Sequence, residues 1–401
     1  MYGGSCTSVT SIRLLAFSNI IAPYRVAFFN EINRQADITL HVAYLARTEP
    51  NRSWTVNESD IRYPHSVIPG LHLNLRRDKT LHLNVGVCGL FGEFMPNIVF
   101  LGTDMLGSCA SWQAWHLARR LGIPIIRYEA RHAFAHAAEN AIKKLIYGYF
   151  IRRMDWYFVY SCLTKAYLIE EYGISQEKIT VGYNVGDSKI FLNKVRTIRD
   201  TPECKRERAS LPAVMMLFVG HLDTKKNILS VLRSCEKIEH TLDVTLGLFI
   251  AGDGPLKDHV LALATKMKRV RVVYLGYLQS TELARYYALS DIFVMPTLMD
   301  SASIALSEAL HSGLFSVAST RDGSSSNFIC EGVNGFVVDP TDEKALIAAI
   351  RRAIHVVREE PEADRKARIL ASVADYTIER YAERLVNVVR EVYKAPSLQR
   401  T

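Results

Sequence analysis

Short apolar runs alternate with amphipathic stretches along almost the whole of this chain. In the first half, the β-branched and aliphatic runs Arg13–Phe17, Ile38–Tyr44, Asn97–Leu101, Pro124–Tyr128, Trp156–Tyr160 and Lys178–Tyr183 predict strands. Helical periodicity fills most of the gaps, at Tyr24–Gln35, Ser108–Leu121, Asn140–Met154 and Thr164–Tyr172. Near-continuous apolar strands separated by helices predict a parallel sheet covered on both faces. The charged stretch Lys194–Pro212, with two prolines, breaks the pattern and reads as a linker. The alternation then restarts. Strands are expected at Ala213–Val219, Leu246–Ala251, Val270–Leu275, Ile292–Met295 and Phe315–Ala318, with helices between them and two more, Glu343–Val357 and Ile378–Tyr393, closing the chain. The expected architecture is α/β, with two doubly wound domains and a cleft between the carboxyl ends of their strands.

Composition sharpens this only a little. The 401 residues are 49% hydrophobic and 22% charged, as in an ordinary globular protein of two or three domains. Seven scattered cysteines, none in a C-x-x-C pair, read as reduced thiols and not as a disulfide framework or zinc site. No apolar run reaches the roughly 18 residues needed to cross a bilayer. The segment MYGGSCTSVTSIRLLAF lacks the pattern of a secretory signal and reads as a short tail before the first strand. A cytoplasmic location is expected. The net charge of +8 is uneven: residues 1–200 hold 23 Lys and Arg against 16 Asp and Glu, residues 201–401 hold 26 against 25. A basic first half attracts anionic lipid, acidic substrates or nucleic acid. No nucleic-acid-binding module is present, so no nucleic-acid partner is expected. The stretch Ala141–Met154 sets Lys143, Lys144, Arg152 and Arg153 around Leu145, Ile146, Tyr149 and Phe150. That is either a membrane-surface helix or a packing helix with a charged outer face.

Candidate chemistry concentrates at the ends of the second-half strands. Gly220–His221 with Lys226 follows the first, Gly252–Asp253–Gly254–Pro255 the second and Gly276–Tyr277 the third. Pro296–Thr297 and Asp300 follow the fourth, with Glu308 on the next helix. Glycines allow tight turns and close backbone approach to a ligand. The helix start around Ser301 and Ser303 offers backbone N–H groups to a phosphate, and a lysine supplies a mobile cation.

The ordered set VGHLDTKKN, IAGDGP, VVYLGYL, LARYYALSDIFVMPTLMDSASIALSEALHSGLFSVAST and EGVNGFVVDPTD spans most of residues 213–345. In that order and spacing it resembles the family 4 glycosyltransferases, which have the two-domain GT-B fold. IIAPYRVAFFNEI, LARRLGIPIIRYEA and the run from DWYFVYS to KITVGYNVGDSKIF resemble the family's first domain more loosely. The resemblance implies an acceptor-binding domain over 1–200, a nucleotide-sugar domain over 201–375 and a last helix, 376–401, packing back on the first. It implies a retaining transfer from a nucleoside-diphosphate sugar to a glycan or lipid-linked acceptor, with no metal and no cofactor. The setting it favours is bacterial polysaccharide or envelope glycan synthesis, with the enzyme peripheral on the inner face of the cytoplasmic membrane.

The resemblance also assigns residues. Lys226 would neutralise the diphosphate, Asp300 would contact the sugar and Glu308 the ribose; the histidine that many members carry after the fifth strand is missing here, and Glu129 is nearest to its position, with His132 three residues on. Gly220, His221, Gly252, Gly254, Gly276, Tyr277, Leu278, Ser303 and Ile304 would line the donor site, base and phosphates included. Tyr24, Arg25, His132, Asn184 and Asp187 would face the acceptor or cleft. The chain departs from the family pattern at His221, where arginine is usual, at Asp300, where glutamate is, and at Ser303, where glycine is. The glycine-rich loop after the first strand is replaced by Ala22–Pro23–Tyr24–Arg25. His221 is either a phosphate ligand or a structural histidine, and Tyr24 and Arg25 either meet substrate or pack the first helix. Two other readings stay open: a GT-B sugar-nucleotide epimerase, and a non-catalytic partner subunit.

Overall fold

The apolar runs pair into two parallel sheets. The computed structural model describes residues 11–49, 56–76, 79–136, 140–186 and 188–395. In the first half lie β1 (Ile12–Ile20), β2 (Ile38–Ala46), β3 (His65–Val67), β4 (Gly70–Arg76), β5 (Lys79–Asn84), β6 (Ile98–Leu101), β7 (Ile125–Glu129), β8 (Trp156–Val159) and β9 (Ile179–Val181). Seven form one sheet in the order β3-β2-β1-β6-β7-β8-β9, parallel throughout. β4 and β5 make a separate antiparallel hairpin. In β1, Leu14 and Ala16 join one apolar core while Leu15 and Phe17 join the core on the opposite face. That is the two-residue period of a strand covered on both sides.

The second sheet contains β10 (Val214–Val219), β11 (Leu246–Ala251), β12 (Val270–Gly276), β13 (Ile292–Met295), β14 (Phe315–Ser319) and β15 (Gly335–Val338). Its order is β12-β11-β10-β13-β14-β15, again parallel. Each sheet reverses its winding once, between β1 and β6 and between β10 and β13. Ligands of doubly wound sheets bind beyond the carboxyl ends of the strands at this reversal.

The helix Ile378–Lys394 returns to the first sheet. Thr377 caps it by accepting from the Arg380 N–H at 3.3 Å. Its apolar face, Tyr381, Leu385, Val388, Val389 and Val392, is buried. Tyr381 stacks on Phe28 at 4.3 Å between centroids and shares a hydrogen bond with the Tyr128 hydroxyl. Arg390 forks onto Asp37, with both N–H···O distances 2.8 Å.

The expected linker is helical. Ser188–Asp200 and Pro202–Ser210 are both helices. Pro202 starts the second one instead of breaking it: in the first turn its missing N–H costs nothing, and Thr201 caps the turn. The helix Ser188–Asp200 packs on the second domain. Phe191 sets its edge against Tyr287 at 5.3 Å, and Arg199 donates to the Ser312 carbonyl at 2.8 Å. By packing, therefore, the first domain ends before residue 188 and not at 200.

Candidate active site

The reversal in the second sheet brings two loops together. The loop after β10 carries Lys226 and Asn227, and the loop after β13 carries Pro296 to Ser303. Asn227 takes a left-handed backbone, φ 57°, and its amide donates to the carbonyls of Pro296 at 3.0 Å and Pro340 at 3.1 Å. Leu298 N–H donates to the Lys225 carbonyl at 2.7 Å. These bonds fix the backbones, and the Lys226 ammonium then bridges the crevice in a salt bridge to Asp300. Burial alone would lower the lysine, but Asp300, with Asp322 and Asp223 near it, carries it above the usual lysine range. The site keeps its cation.

Behind this pair lies Asp322, fully buried. One oxygen accepts from Ser324 N–H at 3.0 Å, capping the helix Gly323–Phe328, and from Ser303 N–H at 3.2 Å. Burial first, and the neighbouring Asp300 second, push this carboxyl upward. The expected phosphate role of the Ser303 N–H is therefore revised: Asp322 occupies that donor. Ser303 itself is buried and caps the helix Ile304–His311, its hydroxyl accepting from Leu306 N–H at 3.3 Å. Ile304 opens that helix, half-buried.

Glu308 sits one turn into the same helix. Tyr287 donates its hydroxyl to Oε2 at 3.1 Å, while burial raises the carboxyl to about 7. Oε1 lies 4.0 Å from where a side chain on Gly186 would begin, so Glu308 faces the loop after β9 of the first domain. Other contacts join the strand ends of the two domains. His132 Nε2 is 3.0 Å from the Asp300 carbonyl, Asn184 donates to the Ala302 carbonyl at 3.5 Å, and Asn327 donates to the Tyr160 carbonyl at 2.8 Å. Burial lowers His132, so the ring is neutral and donates through Nε2. Its Nδ1 and the Asn184 Oδ1 are buried acceptors with no partner among the described residues. Asp187 lies outside the described residues.

Two of the glycines are required by the packing of the loops themselves. Gly252 has φ +143°, and a Cβ there would fall 1.9 Å from the Gly220 carbonyl oxygen. A Cβ on Gly254 would fall 2.5 Å from the Leu222 oxygen. The loops after β10 and β11 thus touch backbone to backbone. Gly276, with φ +70°, accepts from Gly252 N–H at 2.8 Å and leads to half-exposed Tyr277 and half-buried Leu278. Gly252→Ala should therefore cost about 1–3 kcal/mol from strain and overlap. Chemical denaturation checks this; an unchanged midpoint would mean the two loops are free to part. His221 is exposed at the rim.

Glu129 is a correction. It is buried and saturated: Arg127 donates to Oε2 at 3.0 Å, Ala130 and Arg131 N–H groups donate to Oε1 at 2.9 and 3.0 Å, and Tyr147 donates to Oε2. Burial would raise it, but Arg127 and Arg131 hold it down at about 2. Its acceptor capacity is spent on fixing the loop after β7, so it is not a catalytic-face group. Arg25 is held just as firmly, its guanidinium 4.2 Å above the Tyr128 ring and bonded to the Tyr160 hydroxyl. Tyr24 stands beside it, half-buried.

Comparison with known proteins agrees with this layout. Residues 203–369 match the family described as Glycosyl transferases group 1. An uncharacterized 41.2 kDa protein in the cps region of Klebsiella pneumoniae is 25% identical over 214 residues, 52% of this chain and 54% of that protein. The sulfoquinovosyl transferase SQD2 of Arabidopsis thaliana is 25% identical over 290 residues, 69% of this chain and 53% of that protein. The chain thus spans about half the length of these curated relatives. A crystal structure of Anabaena HepE in complex with UDP and glucose superposes with a TM-score of 0.68 at 14% identity, covering 94% of this chain and 99% of that one. The fold is GT-B.

Proposed function

We propose that this protein is a glycosyltransferase that takes a sugar from a nucleoside-diphosphate donor seated at the β10/β13 reversal. The observation that carries the reading is the Lys226–Asp300 pair across that reversal, with Glu308 on the same rim facing the first domain. The matched family and the UDP and glucose bound to HepE on the same fold support it. The reaction breaks the bond between the anomeric carbon and the diphosphate, so positive charge grows on the sugar and negative charge on the leaving group. Lys226 turns from Asp300 to the diphosphate and stabilises that charge without a metal, helped by the helix start at Ile304. Glu308 accepts from the ribose hydroxyls and Asp300 from the sugar. The acceptor attacks from the face the diphosphate leaves, retaining configuration, and the leaving phosphate takes its proton.

In this reading the first domain binds a glycan or lipid-linked acceptor, and the product belongs to a bacterial polysaccharide or envelope glycan. The similarity to a cps-region protein supports that setting. No helix among the described residues is long and apolar enough to cross a membrane. The basic first half supports a peripheral place on the inner face of the cytoplasmic membrane.

A thermal-shift panel of UDP-, GDP-, dTDP- and ADP-sugars tests the donor assignment. One base should stabilise the protein, by about 2.7 kcal/mol at a hundredfold excess over Kd. No shift with any donor would overturn the proposal. An epimerised sugar from donor alone would replace it with an isomerase.

A further inference from the structure

The helix Ala141–Ile151 is apolar on two sides. Tyr147, Gly148, Phe150 and Ile151 are buried against the first domain. On the opposite side Ile142 is 69% exposed, Leu145 72%, Ile146 36% and Tyr149 49%. These four stand at i, i+3, i+4 and i+7, so they form one stripe pointing into solvent. The outer face of an ordinary packing helix is polar; this one is not. The sequence placed Phe150 in the stripe, but it is buried, and Ile142 takes its place.

The stripe is extended by the neighbouring helix Cys109–Arg120. Trp112 there is 45% exposed, its ring 4.7 Å from Phe150, and Trp115 lies 6.0 Å from Tyr149. Basic residues rim it. Lys143, Arg120 and Arg153 are exposed, and the Arg153 guanidinium lies 3.8 Å over the Tyr149 ring. No Asp or Glu occurs between Met105 and Tyr128 or between Asn140 and Met154. Apolar and aromatic side chains with a predominantly basic rim, exposed Asp104 beside Trp112 being the nearby exception, match the boundary of an anionic bilayer, where the apolar groups enter the acyl layer and the cations meet headgroups. A second copy of this chain fits poorly. A two-fold contact through this face would set its basic rim against an identical one.

We propose that this face of the first domain, Ile142, Leu145, Ile146 and Tyr149 with Trp112 beside them, docks the protein on an anionic lipid surface. The proposal deepens the peripheral placement above and rests on it for its setting. Docking here would hold the domain assigned to the acceptor against the membrane.

Flotation of the full chain with vesicles is the test, using phosphatidylcholine alone and phosphatidylcholine with about a third phosphatidylglycerol. Binding is expected to the anionic vesicles, weak on the neutral ones and weakened by salt. Replacing Lys143, Lys144 and Arg153 by Gln should weaken it about fivefold per residue, roughly 100-fold together. Ile142→Glu with Leu145→Glu should abolish it. None of these side chains is near the donor site, so the donor-induced thermal shift should remain in every variant. Absence of wild-type binding to the anionic vesicles, or binding unmoved by either set of substitutions, would overturn the docking face. So would a dimer that Leu145→Glu dissolves in a protein that ignores vesicles. A retained donor shift in such a protein would leave the glycosyltransferase reading standing.

Discussion

Lys226→Ala should lower turnover by about 100- to 1,000-fold, the effect of losing one preorganised charge stabiliser of a leaving group. The ammonium sits at the sheet reversal, is held charged by Asp300, and has no substitute of the same kind on its loop except Lys225, which is exposed. The structure adds a second consequence. Removing the cation leaves Asp300 unpaired beside buried Asp322. Breaking a fully buried pair costs about 3–5 kcal/mol; this one is half-buried, so a loss of about 1–3 kcal/mol is expected. The stability loss should be smaller at pH 5.5 than at pH 8, because Asp322, which burial and Asp300 already push up to about 7, is protonated at the lower pH and no longer repels Asp300. Turnover of the folded fraction is the decisive measurement. Wild-type turnover in Lys226→Ala would remove the lysine from the mechanism and leave the donor assignment without its main support.

The sheets were legible because parallel strands carry apolar residues on both faces and cannot be confused with solvated segments. Eleven predicted strands correspond to β1, β2 and β6 to β14, with ends differing by a few residues. β3, β15 and the β4–β5 hairpin were missed, since runs as short as His65–Val67 and Gly335–Val338 carry little periodicity. The helix Pro202–Ser210 was missed for a different reason: it is polar almost all round, with only Cys204 buried, and its proline looked like a break. At the site, Lys226, Asp300 and Glu308 were found from their places at strand ends and in the motif order. Glu129 was misassigned because nothing in the sequence tells a cleft carboxylate from one spent on Arg127 and Tyr147. Asp322 was overlooked, although an aspartate before Gly–Ser–Ser is a helix-capping signal. Tyr287 gave no signal, since its role depends on a contact with a helix from a different part of the chain.

Glu308→Gln should separate the carboxylate's cost to the fold from its use in binding. Burial raises Glu308 from 4.5 to about 7, with the Tyr287 hydrogen bond opposing. The folded protein therefore holds a proton on this group that the unfolded chain has released between pH 4.5 and 7, so stability falls as pH rises through that window. The loss is on the order of 3 kcal/mol and is complete above about pH 7. Glutamine keeps the shape and the acceptor for Tyr287 but never ionises. The variant should be more stable than wild type at pH 8 by that order, and equal to it at pH 4.5. Asp322, also raised, contributes a parallel slope that both proteins share. Donor binding runs the other way. With Glu308 on the ribose, as proposed, the hydroxyls would donate to the ionised form, so binding to wild type should expel the proton and weaken about tenfold per pH unit below 7. Glu308→Gln should bind the donor about 10- to 100-fold more weakly at pH 8, as expected for loss of hydrogen bonds to a charged group, and show no such slope. Denaturant titrations and donor calorimetry from pH 5 to 8 on both proteins decide the matter. Parallel stability curves would show that Glu308 is solvated in the free protein. Equal donor affinities at pH 8 would show that the ribose is held by other groups.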